Sequence, residues 1–136
     1  MNQRSCAIPQ NRYVPGMIDV INISCCLLII AFGLFGFLAP RYTAAALDLE
    51  TGRSTMGLSE LRASVGGLFV IAGGAAILIG DPVAFVMIGF AFVGAALGRL
   101  VSLALDKPPV VKVLLFGGIE AALAAALIGA NYPAFS

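Results

Sequence analysis

The sequence has no histidine and no tryptophan among its 136 residues, and only 11% of its residues are charged. Without histidine it lacks the commonest protein ligand for metals and the usual general base at neutral pH. The net charge is +1 and no basic block occurs, which argues against a nucleic-acid partner. We therefore predict no metal site, no resident cofactor and no nucleic-acid binding.

Cysteine is also scarce, with Cys6, Cys25 and Cys26 as the three examples. Adjacent cysteines are not the C-x-x-C redox spacing, so we expect Cys25 and Cys26 to be small apolar residues of a helix wall. No nucleophile–base pair, phosphate-binding loop or haem motif is present. These absences argue against an ordinary enzyme.

Apolar residues make up 60% of the sequence, and the mean hydropathy is +1.02. A soluble domain carries roughly 25% charged residues, so lipid is the expected solvent for most of this surface. About 20 apolar residues cross a bilayer, and four runs of that length occur between a polar N-terminal tail (1–16) and a short C-terminal tail (131–136). The predicted spans are residues 17–39, 61–80, 83–105 and 110–130.

The connections between the spans indicate how they pack. Asp81-Pro82 and Asp106–Pro109 are very short turns, so spans two, three and four are expected to be antiparallel neighbours. An even number of spans puts both termini on one side, here called the tail side. The opposite loop side carries the only long connection, residues 41–58. The predicted fold is all-α, a transmembrane four-helix bundle with short turns between helices 2–3 and 3–4.

Glycines recur at helical spacing in the last three spans. In lipid, helices associate through close packing, and small residues spaced as in Gly94-x-x-x-Gly98 let backbones approach. These glycines either make the helices fit or line a substrate path, and the Gly94-x-x-x-Gly98 face also suits a homo-oligomer. The candidates are Gly66, Gly67, Gly73, Gly74, Gly94, Gly98 and Gly117.

Among the ionisable residues of the spans, three are candidates for one cluster toward the loop side: Arg62, Arg99 and Glu120. At 1.5 Å per residue, Arg99 and Glu120 lie roughly 9 and 15 Å from the loop side. An unpaired charge in lipid costs at least ~2.5–3.5 kcal/mol, so pairing is favoured. We predict an Arg62/Arg99/Glu120 cluster, which is either a structural ion-pair cluster or a ligand site. Two arginines around one carboxylate would leave positive charge for an anionic headgroup, a carboxylate or a quinone oxygen.

A second polar set lies near the tail side and consists of Asp19, Asn22, Asp81 and Asn131. Asp81 is predicted to cap the helix that begins at Pro82. Asp19 and Asn22 share a face of the first helix and are expected to be solvated at the interface or to bond a neighbouring helix.

The motifs Leu61-Arg62-Ala63, Gly66-Gly67-Leu68 and Gly98-Arg99-Leu100, followed by Glu120 in the last helix, resemble a family of small bacterial four-helix membrane proteins of unknown function. The resemblance covers about residues 17–130. It implies that Arg62, Arg99 and Glu120 are the characteristic polar positions of the fold, in a bacterial inner (cytoplasmic) membrane, with both termini cytoplasmic. It implies no activity.

The distribution of positive charge favours the opposite orientation. Two basic residues, Arg4 and Arg12, lie toward the tail side, and cytoplasmic loops carry the excess of Lys and Arg. Six basic residues lie toward the loop side: Arg41, Arg53, Arg62, Arg99, Lys107 and Lys112. We nevertheless keep cytoplasmic termini, which the resemblance implies, as the expectation.

Three functional hypotheses follow. The first is a non-enzymatic accessory or scaffold subunit of a larger inner-membrane complex, with a protein partner or a second copy in the membrane. The second is a lipid- or quinone-binding bundle, or a transporter component, with a site at Arg62, Arg99 and Glu120. The third, least supported, is a membrane isomerase or hydrolase that uses Glu120 as acid and base. In all three the bundle contacts membrane lipids.

Overall fold

The computed structural model describes residues 16–50 and 52–132, so Arg4, Cys6 and Arg12 of the predicted tail lie outside the described part. The described residues are helical apart from short turns and one longer connection, and they contain no β-strand. The helices are α1 (Met17–Leu38), α2 (Pro40–Ala46), α3 (Met56–Ile79), α4 (Pro82–Leu105) and α5 (Val110–Asn131).

Helices α1, α3, α4 and α5 are each long and apolar enough to cross a membrane. The predicted all-α four-helix architecture is therefore confirmed. The helix ends lie within one or two residues of the predicted boundaries, except that α3 begins at Met56 rather than at residue 61. The additional helix, α2, lies in the long connection on the loop side.

Local sequence determines where these helices stop and start. Pro40 occupies the first position of α2 immediately after Ala39, where the missing N–H of proline costs nothing. Gly80 ends α3 in the left-handed conformation, with φ 65°, which glycine adopts without strain. The predicted cap is confirmed, because the backbone N–H of Val83 donates to Asp81 Oδ1 over 2.7 Å.

The bundle consists of two helix pairs rather than the row of three neighbours that the short turns predict. Helix α1 packs along α3, and α4 packs along α5, in the two most extensive contacts among the described helices. Helices α1 and α5 join the two pairs, whereas α3 and α4 touch little despite their short turn. Cys26 and Leu127 are fully buried where the pairs meet, and half-buried Cys25 packs against the same core.

The close contact between α1 and α3 explains this pairing. A Cβ added to Gly66 would stand 2.7 Å from the backbone nitrogen of Phe37, and one added to Gly36 would stand 3.0 Å from the nitrogen of Gly66. Gly73 faces the carbonyl oxygen of Cys26 in the same way, at 3.2 Å. Because small residues let two helix backbones meet in lipid, these glycines hold α1 against α3.

Other predicted packing glycines have different surroundings. No side chain or neighbouring backbone of the described residues lies within 4 Å of a Cβ placed on Gly74, Gly94 or Gly98. Gly67 has only loose neighbours, its own helix at 3.4 Å and the Phe37 ring at 4.0 Å. Gly94 and Gly98 are exposed, so they do not form a close helix contact within the described part of the chain.

Helix α3 contains a π-helical segment, Leu61–Gly67, in which the backbone N–H of Leu68 donates to the carbonyl of Ala63. In an α-helix, residues five apart lie about 140° apart around the axis and therefore on different faces. In the wider π turn, Leu61 and Gly66 are five residues apart and yet are both buried. Segments of this kind are frequent at functional sites, and this one carries Arg62.

At the tail side, Asn22 and Asn131 form a reciprocal amide pair. Each donates to the side-chain oxygen of the other, over 3.0 and 2.8 Å, and Asn131 also donates to the carbonyl of Leu127. Both residues are buried. The pair joins the start of α1 to the end of α5 and so places those two helix ends on the same side of the bundle.

Candidate functional site

Arg99 of α4 and Glu120 of α5 form a two-pronged ion pair in the half of the bundle nearest the loop side. Arg99 Nε donates to Glu120 Oε2 over 2.7 Å, and Arg99 Nη2 donates to Oε1 over 2.8 Å. Such fork-to-fork pairs are stronger and more directional than single contacts. Both carboxylate oxygens are therefore occupied by one guanidinium group.

Residues of α5 form the surface against which Arg99 packs. Gly117 leaves room for its aliphatic stem, because a Cβ there would stand 3.4 Å from Arg99 Cδ. The Phe116 ring lies 5.4 Å from the guanidinium carbon, within the range of a cation–π contact. Glu120 follows Gly117 by three residues, which puts its carboxylate on the same face of the helix. These three positions fix the orientation of Arg99.

The pair is only partly sheltered from its surroundings. The side chain of Arg99 is 32% exposed and that of Glu120 is 14% exposed. Separating the two charges would leave the carboxylate without a cation in a largely apolar environment, which is costly. The ion pair therefore stabilises the α4–α5 contact, and it still presents polar atoms to the space beside it.

Arg62 does not join this pair in the structure. Its Nη1 donates to the carbonyl oxygen of Phe37, one residue before the end of α1, where backbone carbonyls lack partners within the helix. Arg62 lines neither of the two cavities at the ion pair. The residue that the sequence groups with Arg99 and Glu120 instead ties α3 to the end of α1.

An apolar, partly open cavity of about 350 Å³ lies beside the ion pair. Among the described residues, Arg99 and Glu120 are the only charged ones in its wall. All five described helices, α1 to α5, contribute to its lining. Its other lining residues are Phe32, Phe35, Tyr42, Thr43, Ala46, Leu47, Val65, Phe69, Phe92, Phe116, Ile119 and Leu123.

A second cavity, of about 390 Å³, lies on the other side of the same pair toward the loop side. Its wall includes Asp48, Ser102 and Lys112 and is accordingly more polar. Four residues line both cavities: Leu47, Arg99, Phe116 and Glu120. They form the partition between an aromatic compartment within the bundle and a polar compartment near its end.

Helix α2 covers the loop-side end of the aromatic cavity through Tyr42, Thr43 and Ala46. Lys112, in the first turn of α5, holds this cover in place. Its Nζ lies 2.6 Å from Asp48 Oδ1 and also donates to the carbonyl of Ala46 over 3.2 Å. Because both side chains are largely exposed, this ion pair contributes little stability by itself.

The groups that line the site can make hydrogen bonds and apolar contacts. A guanidinium group supplies N–H donors, six aromatic rings supply flat apolar surfaces, and the nearby hydroxyl of Thr43 donates to the carbonyl of Ala39. Among residues 16–50 and 52–132, no three side chains of the kinds that ligate metals come together.

The aromatic lining has no counterpart in the sequence motifs. Its phenylalanines are distributed over four helices, so no local spacing brings them together, and Tyr42 reaches the cavity only because α2 folds back over the bundle. The one signal present in the sequence was the number of phenylalanines, nine. That number alone does not distinguish a cavity wall from a lipid-facing surface.

Comparison with known protein families assigns the chain to a family. The family known as DUF4345, a domain of unknown function, matches residues 18–130. The protein belongs to this family. No curated protein and no solved structure matches the chain. Membership of DUF4345 agrees with the family type that the arginine and glycine motifs resemble, and it assigns no activity to Arg99 or Glu120.

Proposed function

We propose that this DUF4345 protein binds an amphiphilic small molecule of the membrane, a lipid or a quinone, in the aromatic cavity. The Arg99–Glu120 pair would contact its polar end. The observation that carries the proposal is that this bidentate pair lines an otherwise uncharged cavity. A volume of about 350 Å³ falls within the usual range of small-molecule sites, which are mostly apolar with a few placed polar groups. We further propose that this membrane is the bacterial inner membrane, as the family resemblance implies.

A purely structural ion pair would explain less of this arrangement. Protein interiors are normally packed to crystal density, and a pair that only sets helix register needs no space beside it. Here empty volume adjoins the pair on two sides. A bound amphiphile would fill that volume and would also shield the partly exposed Arg99.

The experiment is purification of the full chain from its native membrane in polymer discs, followed by mass spectrometry of the retained lipids and quinones. Ala46→Phe should fill the cavity, because Ala46 lies in its wall. Ala45→Phe is the matched control, since Ala45 is exposed on the same helix and does not line the cavity. We expect one amphiphile to be enriched over bulk lipid in the unaltered protein and in Ala45→Phe, and to be lost in Ala46→Phe. Identical profiles in all three proteins would refute the proposal.

A second candidate function is an accessory subunit of a membrane complex. It is favoured by Gly94 and Gly98, which are exposed on α4 and where an added Cβ would meet no described atom within 4 Å. Their spacing suits a helix from a partner or from a second copy. Because Gly98 also lines the second cavity, the test uses Gly94: Gly94→Leu should abolish co-migration with that partner on native gels, whereas Gly129→Leu, at another exposed glycine, should not. Equal migration of both variants and the unaltered protein would count against this function.

A further inference from the structure

We infer that the ligand of the aromatic cavity is an uncharged, planar ring that carries a carbonyl oxygen, which is the chemistry of a quinone rather than of an anionic lipid. This inference rests on the proposed function and specifies the class of its ligand. Three features of the site support it: the balance of charge, the shape of the lining and the direction of hydrogen bonding.

The charges around the two cavities cancel. Arg99 is paired with Glu120 at 2.7 Å, and Lys112 is paired with Asp48 at 2.6 Å. No other charged residue lines either cavity. Arg62, which would have supplied the spare positive charge, is engaged at the end of α1. A phosphate or carboxylate headgroup would therefore be desolvated beside a neutral pair, which is unfavourable.

The lining favours a flat ring over an acyl chain. Aromatic rings attract other rings through offset or tilted contacts, in addition to simple burial. Phe69 and Phe92 already make one such contact across the wall, with centroids 5.4 Å apart and planes tilted by 55°. An acyl chain would gain no comparable preference. The rings that line the cavity are those of Phe32, Phe35, Tyr42, Phe69, Phe92 and Phe116.

The polar wall of the cavity requires an acceptor from the ligand. A guanidinium group has five N–H donors and no acceptor, and Glu120 receives two of these donors. No other acceptor for Arg99 occurs among the described residues of the chain. The three N–H groups of Arg99 that Glu120 does not accept remain as donors at the site. A carbonyl oxygen is the uncharged group that matches them.

The test uses the purified full chain in discs of phosphatidylcholine and three probes in equilibrium dialysis. Menadione is an uncharged ring with carbonyl oxygens, naphthalene is the corresponding ring without them, and dioctanoyl phosphatidylglycerol is an anionic lipid. We expect menadione to bind about tenfold more tightly than naphthalene, since one hydrogen bond to a charged donor has about that value. Phosphatidylglycerol should bind no more tightly than the disc lipid.

Variants identify the site of binding. Ala46→Phe should abolish menadione binding, and Ala45→Phe should preserve it. The double variant Arg99→Met/Glu120→Met removes the hydrogen-bond donors of the pair without leaving a charge unpaired, and it should remove the preference for menadione over naphthalene. Its helical circular dichroism and its elution as a single species serve as the control for folding.

The outcomes separate the two proposals. If phosphatidylglycerol binds in a manner sensitive to Ala46→Phe and menadione does not, or if menadione and naphthalene bind equally, the inference about the ligand is overturned and the amphiphile site stands. If no probe responds to Ala46→Phe, and native purification retains no amphiphile, both fall.

Discussion

The mutual dependence of Arg99 and Glu120 can be measured by a double-mutant cycle with Arg99→Met and Glu120→Met. Removing one partner from a buried pair costs about 3–5 kcal/mol, chiefly because the other charge is left uncompensated. Since the Arg99 side chain is 32% exposed, we expect the lower value of about 2–3 kcal/mol for each single variant. The double variant leaves no charge unpaired and should lose no more than about 1–2 kcal/mol.

The free energy of unfolding would be measured by circular dichroism in mixed micelles of dodecylmaltoside and increasing sodium dodecyl sulfate. The expected coupling energy, which is the two single losses together less the loss in the double variant, is about 2–5 kcal/mol. A parallel cycle on the exposed Lys112–Asp48 pair provides the control, with an expected coupling below about 1 kcal/mol. If the two single variants at Arg99 and Glu120 add to within about 0.5 kcal/mol of the double variant, the pair does not hold α4 to α5 and our reasoning is wrong.

Three further predictions concern other parts of the bundle. Gly66→Ala should lower the free energy of unfolding by about 1–3 kcal/mol, because the added Cβ would stand 2.7 Å from a backbone nitrogen of α1. The control is Gly74→Ala, which has open space around the added Cβ. This control should change the free energy of unfolding little in the same micelle titration. Asn22→Ala should cost about 1–2 kcal/mol by leaving the buried Asn131 amide without its partner, and equal stability of this variant and the unaltered protein would contradict the amide pair. Lys112→Met should speed hydrogen exchange in α2 with a loss of stability below about 1 kcal/mol, and unchanged exchange there would show that this lysine does not hold the helix.

The spans were predictable from the sequence because each depends on local composition. A run of about 20 apolar residues meets the thickness of the bilayer, and Asp81-Pro82 and Pro40 mark the ends through their own backbone chemistry. The predicted start of α3 was less accurate. The residues Met56–Glu60 are polar enough to suggest a loop, but they are helical because the apolar segment that follows them propagates the helix.

The arrangement of the helices depends on contacts that local sequence does not show. Short turns predict α3 beside α4, but Gly33 and Gly36 of α1 approach Gly66 so closely that α1 becomes the principal neighbour of α3. The glycine spacing on α4 was equally visible in the sequence, yet that face turns outward. Glycine spacing identifies a surface that permits close approach, and only the structure identifies which helix approaches it.

The residues of the candidate site were likewise only partly predictable from the sequence. Arg99 and Glu120 stand out in the sequence because charge in an apolar span is costly, and their distances from the loop side allow them to meet. Arg62 stands out for the same reason, but the unsatisfied carbonyl of Phe37 is a nearer partner. The aromatic cavity arises from five separate helices, and no pairwise pattern in the chain predicts it.

The central claim is that an amphiphile occupies the cavity beside Arg99, and an experimental structure of the protein purified at natural abundance in polymer discs tests it most directly. We predict non-protein density between α1, α2 and α5, with its polar end within hydrogen-bonding distance of the Arg99 guanidinium group. A bundle in which the phenylalanine side chains close the cavity and pack against the ion pair, with no density between them, would contradict the account.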